Sequence, residues 1–194
     1  ITTTMIYTNG AYVDSGTNII TIGQGIKPAI GYGITNVAIS SAGAGYIGNP
    51  VIWFEGGSGA GATAIAQVDL VAGTVTNILI TCPGSGYQSG DTVTASLRGG
   101  GFTTPAALGT VTLCPNTCGS LVKIGAGRLH LIATNTYSGT TIISNGVLSV
   151  VGSGGSIAGS TSVVVRTGTQ FVVENNSADV LNNAGAIYLE SGGG

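Results

Sequence analysis

The sequence predicts an all-β protein: a parallel β-helix or closely related β-solenoid with an N-terminal β repeat module. Three observations predict it. Glycine supplies 35 of 194 residues while charged residues make up 6%, and glycine costs about 1 kcal/mol per helical position, so long helices are excluded. A 41-residue internal repeat runs through the first half of the chain, residues 34–46 matching residues 75–87. Short β-branched runs, separated by Gly, Asn and Ser corners, recur through the second half and suit stacked parallel coils.

The same composition removes several function classes. The formal net charge is −2 and no Lys/Arg cluster exists to neutralise phosphates, so nucleic acid is not an expected partner. No apolar stretch reaches the roughly 18 residues of a membrane helix without a Gly, Asn or Ser break. So little charge gives weak colloidal repulsion, which suits a protein that assembles. The opening Ile1-Thr2-Thr3-Thr4 lacks the basic and apolar regions of a signal peptide, so either such a peptide was cleaved or the sequence is an excerpt.

Residues 1–30 hold one or two expected strands, Thr3–Thr8 and Asn18–Ile22, that cap the stack or complete it. The alternative is donation of the extended segment Ile1–Tyr7 to a neighbouring subunit. Residues 31–118 read as the two-copy module. ITNVAISSAGAGY and VTNILITCPGSGY are identical at Thr35/Thr76, Asn36/Asn77, Ile39/Ile80, Gly43/Gly84, Gly45/Gly86 and Tyr46/Tyr87. Each copy is a strand, a G-x-G-Tyr corner, a second strand (Val51–Phe54; Thr92–Leu97), a glycine cluster (Gly56–Gly61; Gly99–Gly101) and a third strand. Residues 119–194 carry strands at Leu129–Ile132, Thr140–Ile143, Val147–Val151, Val163–Val165, Phe171–Glu174 and Ile187–Leu189. Gly152–Ser160, flanked by two valine strands, reads as a wide corner, a linker being the alternative.

Within this half, Lys123-x-Gly125-x-Gly127-x-Leu129-x-Leu131, Asn135-Thr136-Tyr137-Ser138-Gly139, Thr141-x-Ile143 and Gly146-x-Leu148 follow one another in order. Residues 121–150 thereby resemble the autotransporter-associated β-strand repeat of bacterial surface and secreted proteins. Arg128 and Thr140 depart from that pattern, both at turns. The 41-residue unit, over residues 34–113, looks like G-S-G-Y repeats found beside such segments in large surface proteins and in some phage tail fibres. The resemblance implies a β-helical fold and a secreted or bacterial-surface location.

Residues able to carry chemistry are few. His130, the one histidine, alternates with Leu129 and Leu131 and is expected to face solvent. Asp14, Glu55, Asp69, Asp91, Glu174, Asp179 and Glu190 are scattered singly, whereas glycoside hydrolysis needs a pair. No catalytic residue, cofactor or metal ligand is therefore expected, and Asp14 and Asp91 read as turn residues rather than calcium ligands. Cys114-Pro115-Asn116-Thr117-Cys118 closes a small ring, a disulfide if the Cα atoms come within about 7 Å. It would contribute about 2 kcal/mol, with two reduced thiols the alternative in a cytosolic protein. Cys82 stands where the first copy has Ser41.

Tyr46 and Tyr87 occupy one position in two copies and are expected to pack together, an aromatic sugar-binding stripe being the alternative. Trp53-Phe54 is the one cluster of large aromatics. Strand alternation sends one of the pair outward, so these four aromatics form the candidate contact surface. Asn175-Asn176-Ser177 is the sole N-x-S/T sequon without proline.

Neither end reads as a polar cap, and open solenoid edges template further pairing. Head-to-tail self-association, or continuation into a longer chain, is the expected partnership. The expected function is that of a non-enzymatic extracellular structural or adhesive protein: a filament subunit or the stalk of a surface protein. A ligand-binding adhesin or phage tail-fibre module is the alternative, followed by a polysaccharide-acting enzyme.

Overall fold

A computed structural model describes residues 4–174 and 179–192. In chain order its strands are β1 (Thr4–Ile6), β2 (Ala11–Asp14), β3 (Ile19–Ile22) and β4 (Ile26–Pro28). Then come β5 (Tyr32–Ser41), β6 (Val51–Gly56), β7 (Thr63–Asp69), β8 (Thr74–Cys82), β9 (Val93–Arg98) and β10 (Ala107–Pro115). After a 3-10 turn at Asn116–Cys118 follow β11 (Leu121–Ile124), β12 (Arg128–Leu131), β13 (Thr141–Ile143), β14 (Val147–Val151), β15 (Ser162–Val165), β16 (Gln170–Glu174) and β17 (Ala186–Leu189). The chain is all-β and divides into two compact units, Ile1–Ala29 with Thr117–Gly194, and Ile30–Asn116.

The first unit is a parallel β-solenoid. One sheet stacks β2, β11, β13, β15 and β17, and a second stacks β3, β12, β14 and β16, every pairing parallel. A third side begins with β1 parallel to β4 and continues through Thr136 N–H to the Ile26 carbonyl, a parallel bridge at Thr134↔Ser156, and Ile157 N–H to the Val180 carbonyl. The step from coil to coil is 20 residues at Leu121↔Thr141 and 22 at Thr141↔Val163. Strands this short are not stable alone. They persist because inward residues form ladders: Ile20, Leu129, Leu148 and Phe171 on one sheet, Ala11, Leu121, Thr141 and Val163 on the other.

The N-terminal segment completes the stack. β2 and β3 are its first coil, and the chain leaves after Ala29 and resumes it at Thr117. β1 pairs with β4 of its own chain, and Ile6 is buried with Ile26 in the solenoid core.

The second unit holds the four-stranded antiparallel sheet β8-β7-β6-β9 and the antiparallel pair β5-β10. Both enclose one core that includes Ile34, Val37, Ile52, Val75 and Ile78. The two repeat copies exchange their third strands. The first strand of copy one, β5, pairs with β10 of copy two, while β8 of copy two pairs with β7 of copy one. Matching pairs recur: Ile34↔Leu113 answers Val75↔Val68, and Asn36↔Thr112 answers Asn77↔Gln67. The middle strands β6 and β9 pair with each other.

This exchange explains the glycine clusters. Tyr87 of copy two lies beneath Gly57 and Gly59 of copy one, and Tyr46 of copy one beneath Gly100 of copy two. A Cβ on Gly59 would come within 3.0 Å of the Tyr87 ring and backbone. Gly59→Ala is therefore expected to destabilise the protein by about 2 kcal/mol through overpacking. Gly90, around which nothing lies within 4 Å, serves as control, with Gly90→Ala expected inside about 0.5 kcal/mol. Chemical denaturation of both variants reads the difference.

Candidate functional site

The repeat motif of residues 121–150 forms a coil-stacking ladder. Lys123 points inward from β11, in register between Val13 of the coil before and Ile143 of the coil after. Its aliphatic stem fills that rung, and the residue is fully buried. The ammonium reaches the corner, where Nζ donates to the carbonyls of Ile124 (2.8 Å), Gly125 (2.7 Å) and Asn145 (3.0 Å). Three donors thus meet three acceptors, two in its own coil and one in the next. Burial pushes the ammonium below the ordinary lysine value, and nearby Asp14 opposes that shift.

On the third side, Asn135 ties three coils together. Its Oδ1 accepts from Ile26 N–H (2.9 Å), and its Nδ2 donates to the carbonyls of Ala133 and Ser156 (both 2.8 Å). Tyr137 is wholly interior: its hydroxyl lies 2.6 Å from Thr141 Oγ1, which lies 2.9 Å from Ser160 Oγ. Burial drives the phenol pKa far above its usual value while the Thr141 bond opposes this, so Tyr137 stays neutral. Ser160 Oγ donates onward to the Gly139 carbonyl at 2.8 Å. Tyr137→Phe opens this chain at one end and is expected to cost about 1.5 kcal/mol, read as a lower midpoint in thermal unfolding.

The motif glycines serve the same stacking. A Cβ on Gly127 would come within 3.0 Å of the Asn18 carbonyl and amide, and one on Gly139 equally close to Gly119 and Ser120. Across the outer face, Arg128 Nη1 lies 3.2 Å from Glu174 Oε1, two strands away over β14, whose Ser149 is fully buried. Such an exposed pair contributes about 0–1 kcal/mol.

The residues singled out from sequence fall in several places. Tyr46 and Tyr87 are 2% and 4% exposed, which corrects their place in a contact surface. Each anchors the core beneath the other copy's glycines, and the ring partner of Tyr46 is Phe102 at 5.4 Å. Trp53 faces outward and Phe54 packs toward the core. His130 is half-buried rather than solvent-facing, and its Nε2 is buried without a hydrogen-bond partner.

Asp91 Oδ2 accepts from Ser58 N–H (2.9 Å), Ser58 Oγ–H (2.8 Å) and Gln88 N–H (2.9 Å). Those amide bonds hold its carboxyl below the usual range, as expected of a turn residue. Among the described residues, no three His, Cys, Asp or Glu gather as a metal site. Cys82 and Cys114 are free thiols, so the expected Cys114–Cys118 disulfide is not seen. Thr35 Oγ1 lies 3.6 Å from Cys114 Sγ. The side chain of Cys118 lies outside the described residues, as does the Asn175-Asn176-Ser177 sequon.

Sequence reasoning missed the interior ammonium of Lys123, because a lysine in an alternating strand reads as outward-facing. It left open whether the N-terminal strands cap the stack or complete it, although Ile20-x-Ile22 repeats the spacing of Leu129-x-Leu131, its register partners.

Residues 121–150 match the family model described as Passenger-associated-transport-repeat. No curated protein and no solved structure matches the chain at a significant level. Repeat and solenoid together fit a passenger-like surface protein of the autotransporter kind, a family that suggests a secreted or surface location.

Proposed function

We propose that this chain is part of a secreted bacterial surface protein. Its solenoid serves as a stiff, non-enzymatic stalk and its inserted antiparallel unit as a displayed module. The observation that carries this reading is the use of the matched repeat: Lys123, Gly127, Asn135, Tyr137, Gly139 and Thr141 all bond or fit against neighbouring coils. A motif so wholly devoted to stacking supports a role in length and rigidity rather than turnover.

A filament subunit is the second reading, favoured by β17. Ile187 and Leu189 continue the inward rows of Val163 and Val165, yet stand 48% and 63% exposed. Another coil, from a longer chain or a second copy, would cover them. Electron microscopy of the purified 194-residue chain separates the two. Dispersed single particles are expected, and regular fibres would overturn the stalk in favour of the filament. Protease treatment of intact source cells is expected to release the protein, and protection until lysis would sink the surface location.

A further inference from the structure

The outer face of the sheet β8-β7-β6-β9 carries Trp53, the chain's one tryptophan, with 52% of its surface exposed. Two neighbours fix the ring. Its Nε1–H donates to Glu55 Oε1 at 3.1 Å, and the Arg98 guanidinium carbon lies 5.0 Å from the ring centroid. In the adjoining row across the sheet stand Arg98, Val51, Ile65 and Leu79, cross-strand neighbours in that order. The flanks are neutral hydrogen-bonding groups: Thr63 and Thr81 hydroxyls 2.7 Å apart, and Asn77 Nδ2 donating to Gln67 Oε1 at 2.8 Å.

The repeat itself shows that the fold does not require this patch. Inward residues of the two middle strands are apolar in both copies: Ile52 and Phe54 in one, Val93, Ala95 and Leu97 in the other. The outward residues differ in kind. At the repeat offset, Thr92, Thr94 and Ser96 stand where the first copy has Val51, Trp53 and Glu55, and Trp53 pairs directly with Ser96. A scaffold content with hydroxyls on one strand has no packing need for an indole on its twin.

We propose that this face binds a carboxylated sugar chain, a pyranose ring lying on Trp53 and its carboxylate on Arg98. An indole offers a flat apolar surface to the C–H face of a pyranose, and a ring already held by two partners loses little freedom on binding. Arginine presents a planar fork that fits a carboxylate bidentately. Glu55 and the threonine and amide groups supply acceptors and donors for hydroxyls.

Because Trp53 is the chain's one tryptophan, its fluorescence reports this ring alone. The intact protein is titrated with oligogalacturonate, hyaluronan oligomers, a sialylated oligosaccharide and a neutral glucose hexamer, with calorimetry alongside. A saturable signal is expected with at least one acidic sugar, and markedly weaker binding of the neutral hexamer. Arg98→Gln is expected to weaken acidic-sugar binding about tenfold, and Trp53→Ala by a similar factor in calorimetry. Both variants, lying on an exposed face, keep the parent unfolding midpoint, so lost binding is not lost folding. Three outcomes overturn the proposal: no response to any of the three acidic sugars, equal affinity for the neutral hexamer, or Trp53-dependent self-association in sedimentation.

Discussion

Replacing Lys123 with methionine is expected to lower the unfolding free energy by about 3 kcal/mol. Methionine keeps the aliphatic stem between Val13 and Ile143, so the rung stays filled. What goes is the ammonium, leaving the carbonyls of Ile124, Gly125 and Asn145 without their donor. An acceptor left without its donor in this part-buried corner costs about 1 kcal/mol, and bonds to a charged donor contribute more than neutral ones. Against this stands relief of the ammonium's own desolvation. With three acceptors at 2.7–3.0 Å, the loss exceeds the relief. Urea denaturation should show a lower midpoint at unchanged slope, and a parental midpoint would mean that the ammonium does not hold the corner.

Gly127→Ala is expected to be comparably severe, about 3 kcal/mol, but local in its effect. The added methyl would strike Asn18 backbone in the first coil, where no side-chain rotation relieves the clash. β3 must then move away from β12, whose register with it runs Arg128↔Ile19 to Leu131↔Ile22. Hydrogen exchange should show early loss of protection across residues 11–28, while β13 through β16 remain protected. Uniform loss along the chain would contradict this account.

How legible the protein was in its sequence follows from the range over which each residue acts. Residues 121–150 could be read because most bonds of Lys123, Asn135, Tyr137 and Thr141 run to groups about 20 residues away or nearer, the Asn135 bond to Ile26 excepted. The first coil was legible as strands but not as to whether they cap or complete the stack, since Ile20 and Leu129 are register partners 109 residues apart. The module's repeat was plain, but which copy completes which was not: identical strands Thr35–Asn36 and Thr76–Asn77 do not reveal whose third strand they pair with. Alternation around Trp53-Phe54 gave one residue outward, and Trp53 is that residue. Glu55, two residues on, shares that face by the same alternation, but Arg98 became visible only once β6 and β9 were neighbours.

The reciprocal pairing of β5 with β10 and β7 with β8 sets a parity on the module's history. A lone copy would hold a first and a third strand each lacking its mate, and two such chains would have to marry to fold. Three copies would strand one bachelor. Such modules should lengthen or shrink by twos, unlike the solenoid, which can grow by any number of turns.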